Sequence, residues 1–338
     1  MSRFRKLLYP FSLLYGLVIW LRHFLYNTKV LKSVTYKFPI ICVGNLSVGG
    51  TGKSPMTEYI IRLLQPDFNV AVLSRGYKRK TAGYILADNN SNALQIGDEP
   101  YQYHRKFKDL TVAVSESRQI GIEKLLQDTD SEVILMDDAF QHRKVKAGFN
   151  ILLSSYGNLF TEDLLLPAGN LRDLKKRASA ADVILITKCP NNLSLSNKQT
   201  IRKKIKRFTN SPIFFTGIKY DEAIRNNDQE FLLDNLKQQA FTLVTGIANP
   251  MPLVNYLKDK GYVFDHIQFR DHHFFTAAEL EELKKKSKLV TTEKDFMRLE
   301  KHIPESFYIA IKPFFLDDEK LVFDKLILEY LQKEKRIQ

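Results

Sequence analysis

Residues 39–55 decide the fold, and they read Pro-Ile-Ile-Cys-Val-Gly-Asn-Leu-Ser-Val-Gly-Gly-Thr-Gly-Lys-Ser-Pro. A short apolar run leads into a glycine-rich loop that ends in Gly52-Lys53-Ser54, and a stretch compatible with a helix follows. Glycines let backbone N–H groups close around phosphate oxygens, a lysine reaches the β- and γ-phosphates, and a hydroxyl reaches Mg²⁺. The stretch therefore predicts a strand, a phosphate-binding loop and a helix that together bind a nucleoside triphosphate.

The loop departs from the pattern G-x-x-x-x-G-K-[ST] at one position, because Ser47 stands where the first glycine is expected. The alternative is a glycine turn that happens to hold a lysine. The order of strand, loop, Lys-Ser and helix favours the phosphate loop. We predict nucleotide binding by Gly49, Gly50, Thr51, Gly52, Lys53 and Ser54.

Short apolar runs along the rest of the 338 residues are typical of buried parallel strands in an α/β sheet. The predicted strands are 69–73, 110–114, 132–136, 150–153, 182–186, 212–215, 241–245, 263–269, 288–290 and 308–311, with a helix over 276–286. We predict a mostly parallel α/β fold of the P-loop NTPase type with a smaller C-terminal α/β domain. The expected divisions are an N-terminal helix at 1–30, the core at 31–220, a linker at 221–240 and the smaller domain at 241–338.

The N-terminal segment is basic, and no acidic residue precedes Glu58. Residues 7–21 are apolar and aromatic but short of the roughly 20 residues that span a bilayer. No small-residue cleavage site of a signal peptide follows them. A basic, aromatic, apolar helix suits the membrane interface. The alternative is a helix packed on the protein's own core, and both can hold if only one face is buried.

The formal net charge of +13 favours an anionic partner, which is nucleic acid, phospholipid or a phosphorylated substrate. A nucleic-acid binder is disfavoured because no recognisable binding module is present. Cys42 and Cys189 are the two cysteines, and they provide neither a disulfide framework nor a metal site.

Polar groups follow several predicted strands, at the edge where open α/β sheets bind ligands. Asp137 and Asp138 end the strand at 132–136, and in phosphate-loop enzymes such a strand end holds Mg²⁺. We predict that one or both of them serve the metal with Ser54, the alternative being a pair of acids that begin a turn. Arg75 follows the strand at 69–73 and is predicted to meet phosphate.

Two further groups have a weaker signal. His142 lies a few residues beyond the two aspartates and is a candidate site residue. Gly97-Asp98-Glu99-Pro100 has the chemistry of a surface turn.

The motifs together resemble the tetraacyldisaccharide 4'-kinase family, the lipid A 4'-kinases of Gram-negative bacteria, over nearly the whole chain. They are Val43-Gly44-Asn45, the run from Gly49 to Pro55, Ser74 to Tyr77, Gly97 to Pro100, Asp137 to His142, Leu166 to Arg172, Gly246 to Pro250, Asp271-His272-His273 and Thr292-Glu293-Lys294-Asp295. Ser54 replaces the usual threonine and keeps the hydroxyl. Asp173 replaces the usual glutamate, which leaves a metal or phosphate role there open.

The resemblance implies ATP- and Mg²⁺-dependent phosphorylation of the 4'-hydroxyl of a tetraacyl glucosamine disaccharide 1-phosphate, giving lipid IVA. It implies catalytic roles for Lys53 and Asp138, and for Asp98 as the proton acceptor. His272, preferred to His273, would tune Asp98 across the cleft between the domains. Substrate binding is assigned to Asn45, Tyr77, Glu99, Gln141, His142 and Arg172.

The resemblance also implies a place for the enzyme. The N-terminal helix would hold it as a peripheral protein at the cytoplasmic face of the inner membrane, on anionic lipid. No obligate protein partner and no nucleic acid are expected.

The runner-up is a P-loop switch or metallochaperone NTPase. Thr187-Lys188 resembles the start of a base-reading turn, but Cys189-Pro190 removes the aspartate of that turn. A switch protein also has no need of the apolar N-terminus.

Overall fold

The structure, a computed structural model, describes residues 3–271 and 273–336. The strands in these residues are β1 (Val34–Thr35), β2 (Ile40–Asn45), β3 (Val70–Ser74), β4 (Ile85–Leu86), β5 (Thr111–Val114), β6 (Val133–Asp137), β7 (Val145–Lys146), β8 (Phe149–Ser155), β9 (Val183–Thr187), β10 (Ile213–Arg225), β11 (Glu230–Leu232), β12 (Phe241–Thr245), β13 (Phe264–Gln268), β14 (Leu289–Thr292) and β15 (Phe307–Phe315). The helices are α1 (Tyr9–Asn27), α2 (Lys53–Leu64), α3 (Ala93–Ile96), α4 (Asp98–Lys106), α5 (Arg118–Asp128), α6 (Leu195–Ile205), α7 (Met251–Asp259), α8 (Ala277–Lys284), α9 (Glu293–Leu299) and α10 (Lys320–Lys335). Short 3₁₀ helices lie at Arg3–Leu8, Lys175–Ala180 and Leu233–Leu236.

The core of the first half is a parallel sheet in the order β9-β8-β2-β6-β3-β5. Every residue of β2, β3, β6 and β9 is buried, because helices cover both faces of the sheet. Apolar residues of α5 and α6 pack on one face, and those of α2, α4 and α10 pack on the other. The phosphate-loop strand β2 lies in the middle, so its carboxyl end has neighbours on both sides.

The second half continues the same sheet through two long antiparallel strands. Residues 213–215 of β10 pair in parallel with β9, and residues 216–225 pair with β15 across a bulge. Beyond β15 lie β14, β12 and β13, all parallel to one another. After β15 the chain returns through α10, whose Phe323, Ile327 and Leu331 are buried in the first half. The two halves are therefore joined by the β10–β15 ribbon and clasped by α10.

The structure confirms the mostly parallel α/β fold, each predicted strand and the helix predicted at 276–286, which is α8. Residues 221–240, predicted as a linker, contain the end of β10, β11 and the 3₁₀ helix at Leu233–Leu236, whose two leucines are buried. The two-residue strands β1, β4 and β7 were too short to predict from a pattern. The division into domains stays a prediction.

Helix α1 packs on the core with one face and exposes another, while its place at a membrane interface stays a prediction. Ser12, Ile19, His23 and Tyr26 face the protein and are buried. Leu14, Leu17 and Val18 on another face are each about 60% exposed. Within the described residues, none of the helices is both long and apolar enough to cross a membrane.

The docking of α10 generates a prediction about stability. Phe323 is fully buried, and its ring lies 4.9 Å from that of Phe315 and 5.6 Å from that of Phe214. Phe323→Ala should lower the free energy of unfolding by about 3–5 kcal/mol, because it leaves a cavity among aromatic rings. Urea denaturation measures this change.

The matched control is Val322→Ala, since Val322 is 57% exposed on the same helix. It should change stability by less than about 0.5 kcal/mol. Equal effects of the two substitutions would show that α10 does not dock as described.

Candidate active site

The phosphate loop occupies residues 46–52, between β2 and α2. Gly49 and Gly52 have φ of 98° and 83°, in the left-handed region that glycine adopts without steric cost. Lys53 is the first residue of α2, where the first N–H groups of the helix have no intrahelical partner and can bind an anion. The strand–loop–helix geometry predicted from residues 39–55 is present.

Asp137 and Asp138 lie beside the loop because β6 pairs directly with β2. Asp138 Oδ1 is 3.7 Å from Lys53 Nζ, and Thr57 Oγ1 donates to Asp137 Oδ1 at 3.3 Å. Burial, with the negative charges of Glu99 and Asp138, raises the pKa of Asp137 to about 7. Burial acts the same way on Asp138, but Lys53 and Arg172 outweigh it and lower that pKa. Adjacent carboxylates thus have opposite tendencies to ionise.

Arg172 connects the acidic strand end to the loop. Its guanidinium bonds both carboxylate oxygens of Asp138 and donates to Asn45 Oδ1 at 2.5 Å. Asn45 Nδ2 in turn donates to Thr51 Oγ1 at 2.6 Å. Asn45 and Arg172, both predicted to bind substrate, therefore lie in the phosphate-loop network.

The carboxyl end of β9, the strand on the other side of β8 from β2, also bonds the loop. Thr187 Oγ1 donates to the Thr51 carbonyl at 2.7 Å, and Lys188 Nζ donates to the Gly50 carbonyl at 2.6 Å. Burial and the neighbouring charges of Lys294 and Lys53 lower the pKa of Lys188. Sequence reasoning does not place Lys188 in the site, and its only signal there is the Thr187-Lys188 pair.

The expectation of a surface turn at residues 97–100 is wrong. Asp98 and Glu99 form the first turn of α4, where acidic side chains suit the helix dipole. Glu99 Oε1 accepts from Ser54 Oγ at 2.7 Å and from Lys294 Nζ at 2.9 Å. Burial alone would raise the pKa of Glu99, but Lys294, Lys53 and Ser54 hold it at about 2.

Asp98 is bonded by the guanidinium of Arg298. Both Lys294 and Arg298 belong to α9 in the second half, and sequence reasoning assigned neither to the site. The only signal was the motif Thr292-Glu293-Lys294-Asp295.

The remaining predicted residues follow β3 and β6, which lie on one side of β2. Arg75 and Tyr77 are exposed beyond the end of β3. Burial, with the positive charges of Arg118 and Arg75, lowers the pKa of His142 to about 4, so its ring is neutral at pH 7. Gln141 donates to the backbone carbonyl of Asn45.

Of the two candidate histidines, His272 lies outside the described residues, and its role stays a prediction. His273 hydrogen-bonds Glu279 Oε2 at 2.9 Å and stacks on Phe269.

Helix α1 contacts the segment that carries Arg172. Tyr15 OH donates to the Arg172 carbonyl at 3.2 Å, and Arg22 donates to the Gln141 carbonyl at 3.0 Å. Asp173 lies 2.5 Å from His23 Nε2 and is 1% exposed. Asp173 therefore holds α1 against the core through a structural contact.

Comparison with known proteins agrees with this arrangement. The family model for tetraacyldisaccharide-1-P 4'-kinase (LpxK) matches residues 4–332. A tetraacyldisaccharide 4'-kinase of Flavobacterium johnsoniae is 46% identical, with 98% of this chain and 99% of the relative covered. One of Phocaeicola vulgatus is 39% identical, with 99% and 97% covered.

Among solved structures, LpxK from Aquifex aeolicus in complex with ATP matches with a TM-score of 0.80 and 31% identity, over 97% of this chain and 99% of that one. The findings do not favour a switch or metallochaperone NTPase. The chain belongs to the tetraacyldisaccharide 4'-kinase family.

Proposed function

We propose that this chain transfers the γ-phosphoryl group of ATP to the 4'-hydroxyl of a tetraacyl glucosamine disaccharide 1-phosphate, giving lipid IVA in lipid A biosynthesis. Family membership sets the reaction class, that of an ATP-dependent lipid kinase. One observation about the site carries the proposal. Lys53, Ser54, the Asp137–Asp138 pair and the Asp98–Glu99 pair meet at one edge of the sheet, ringed by Arg172, Lys188 and Lys294. Phosphoryl transfer needs such positioning and charge compensation more than covalent chemistry.

ATP binding falls to the loop Gly49 to Ser54. The N–H groups of the loop and of the α2 start are available to phosphate oxygens, and Lys53 supplies the positive charge beside them. Thr187 and Lys188 hold the loop through its backbone carbonyls, so these two contacts do not occupy its N–H groups. Arg75, exposed at the end of β3, is assigned to the phosphates as well.

The site fits Mg²⁺. Asp137 Oδ2 is buried and has no hydrogen-bond partner among the described residues, which is costly for a carboxylate oxygen unless a cation completes it. Those residues contain no cluster of three or more His, Cys, Asp or Glu side chains that suits a metal. Mg²⁺ is commonly held by one or two carboxylates with water and substrate phosphates. We assign it to Asp137, Asp138 and Ser54; when bound, it would neutralise charge on the phosphates.

Asp98 is the proposed proton acceptor for the sugar hydroxyl. Its carboxylate lies at the start of α4, directly before Glu99, which bonds Ser54 of the loop. The Arg298 guanidinium bonds this carboxylate and so places a positive charge beside the proposed proton acceptor. His272 is proposed to assist Asp98. Contacts with the sugar are proposed for Tyr77, Gln141 and His142, in addition to Asn45, Glu99 and Arg172.

The proposed location is the cytoplasmic face of the inner membrane, with α1 lying in the interface. Leu14, Leu17, Val18 and Leu21 follow helical spacing and are each about half or more exposed. Burying such side chains in lipid is favourable, and the basic N-terminal segment favours anionic headgroups. The acylated substrate can then be reached without leaving the bilayer. No obligate protein partner and no nucleic acid are part of the proposal.

The decisive experiment is incubation of the purified protein with labelled ATP and the tetraacyl disaccharide 1-phosphate in detergent. A product heavier by one phosphate on the 4'-oxygen, identified by mass spectrometry and fragmentation, is the expected result. ATP hydrolysis that is indifferent to the lipid would contradict the proposal.

Lys53→Ala should lower turnover by roughly 10²–10³-fold, because it removes about 3–4 kcal/mol of transition-state stabilisation at the γ-phosphate. Turnover with saturating ATP and lipid measures the loss. Lys80→Ala is the control, since Lys80 is an exposed lysine outside the loop. Near-normal turnover of folded Lys53→Ala would refute the phosphate-loop assignment.

The raised pKa of Asp137 predicts a pH dependence of Mg²⁺ binding. A proton occupies the carboxyl below about pH 7 and must leave before the cation binds. The affinity for Mg²⁺·ATP, measured by calorimetry, should therefore rise between pH 6 and pH 8.

At pH 8, Asp137→Asn should bind Mg²⁺·ATP more weakly than the wild type. Its affinity should also vary less with pH, because only the titration of ATP itself then remains. An identical pH profile in the two proteins would remove Asp137 from the metal site.

The membrane assignment predicts that replacing Leu14, Leu17, Val18 and Leu21 by serine lowers binding to anionic vesicles by about tenfold or more. Co-sedimentation with vesicles measures the binding, and calorimetry should show unchanged ATP affinity. Leu321→Ser with Val322→Ser removes exposed apolar surface from α10 and should leave vesicle binding intact. Vesicle binding by the α1 variant equal to that of the wild type would show that α1 is not the anchor.

A further inference from the structure

Two cations of α9 face two consecutive carboxylates of α4. Lys294 and Arg298 are four residues apart, so they lie on the same face of the helix. Lys294 Nζ donates to Glu99 Oε1 at 2.9 Å, and Arg298 bonds Asp98 Oδ2. The partners are 195 and 200 residues apart along the chain. Each carboxylate at the start of α4 thus receives its own cation from the second half.

Arg298 also bonds a second, buried carboxylate. Asp295 is fully buried, and its Oδ1 accepts from Arg298 Nη1 at 3.2 Å. The other oxygen of Asp295 accepts from the Gly246 N–H at 2.9 Å and from Thr292 Oγ1 at 2.6 Å. The Arg298 side chain is itself only 4% exposed. These bonds hold the guanidinium in place beside Asp98.

Lys294 balances a charge next to the phosphate loop. One oxygen of Glu99 accepts both the Lys294 ammonium and the Ser54 hydroxyl. Without Lys294, the negative charge of Glu99 would stand beside Lys53 and the nucleotide phosphates with less compensation. A like charge close to the phosphates disfavours their binding.

We propose that Lys294 and Arg298 are positioning residues of the phosphoryl-transfer site, through which the second half orients Glu99 and Asp98. Arg298 orients the Asp98 carboxylate, which is the proposed proton acceptor. Lys294 compensates the negative charge of Glu99, which also accepts from Ser54. The inference deepens the function proposed above and rests on it.

The two positions predict different kinetic effects. Loss of Arg298 leaves ATP binding intact and misplaces the proton acceptor, so turnover falls. Loss of Lys294 exposes the phosphates to Glu99, so ATP binding weakens. A purely structural role for α9 would not separate the two.

The test is steady-state kinetics of the full chain with ATP and the tetraacyl disaccharide 1-phosphate, combined with calorimetry of ATP binding and thermal unfolding. Arg298→Met should lower kcat by about tenfold or more with the KM for ATP within about twofold. Lys294→Met should raise the KM and Kd for ATP by about tenfold. Arg105→Met is the matched control, because Arg105 pairs with Glu300 at 3.7 Å between the same two segments without contacting Asp98 or Glu99. It should leave kcat and KM unchanged.

A double variant separates neutralisation of Glu99 from direct phosphate binding. Lys294→Met combined with Glu99→Gln should bind ATP markedly more tightly than Lys294→Met alone, because the charge that Lys294 compensates is also gone. If the double variant binds ATP no better than the single one, Lys294 does not act through Glu99 and that part of the inference is wrong.

Equal losses of kcat in Arg298→Met and Arg105→Met would overturn the role of Arg298. If Arg298→Met does not fold, Arg298→Lys replaces it: the charge is kept, the fork of N–H donors is lost, and kcat should still fall. Wild-type protein that transfers no phosphate in this assay contradicts the proposed function, whereas active wild type with unaffected α9 variants contradicts only the present inference.

Discussion

The geometry of the site depends on how the phosphate loop is held by the strand ends around β2. A glycine-rich loop has little conformational preference of its own, since glycine adopts many backbone conformations and loses more entropy on ordering than other residues. Here the loop backbone and side chains are bonded from several sides: by Asn45 below it, and by Thr187 and Lys188 from β9. These bonds hold the loop against the strand ends. Asp138 and Lys188, which follow their strands with φ of 49° and 58°, adopt unusual backbone conformations at the same edge; such conformations concentrate at functional sites.

The second half matters to the site because the sheet continues into it. β10 starts as a parallel neighbour of β9 and ends as an antiparallel neighbour of β15, so one strand belongs to both halves. This continuity places α9 against α4 and brings cations to the Asp98–Glu99 pair. The same contact includes Lys106, which bridges Glu58 at 2.7 Å and Glu293 at 2.5 Å. Burial and the neighbouring Glu58 raise the pKa of Glu293 to about 7, so the interface carries its own titrating group.

The central strands were predictable because a strand that is buried on both faces has a continuous apolar run in its sequence. The phosphate loop and Asp137–Asp138 were predictable because they adjoin such runs. The start of α4 was not, since glycine, acids and proline suit a tight turn and a helix start equally well. Lys294, Arg298 and Lys188 were missed for another reason. Their partners lie far away in the chain, and no local pattern encodes which charged residues of two distant segments will meet.

The hydrogen bonds between α1 and the Arg172 segment have a geometric consequence. Ser12 Oγ accepts from the Ala168 N–H at 3.0 Å and donates to the Leu165 carbonyl at 2.9 Å. Hydrogen bonds to the backbone of residues 165–168 therefore hold the helix in addition to apolar packing. If the outer face of α1 lies in a lipid surface, as proposed, these bonds would also limit how the phosphate loop is placed relative to that surface. On the proposed membrane location, the distance between the lipid plane and the bound nucleotide would then be set by the fold.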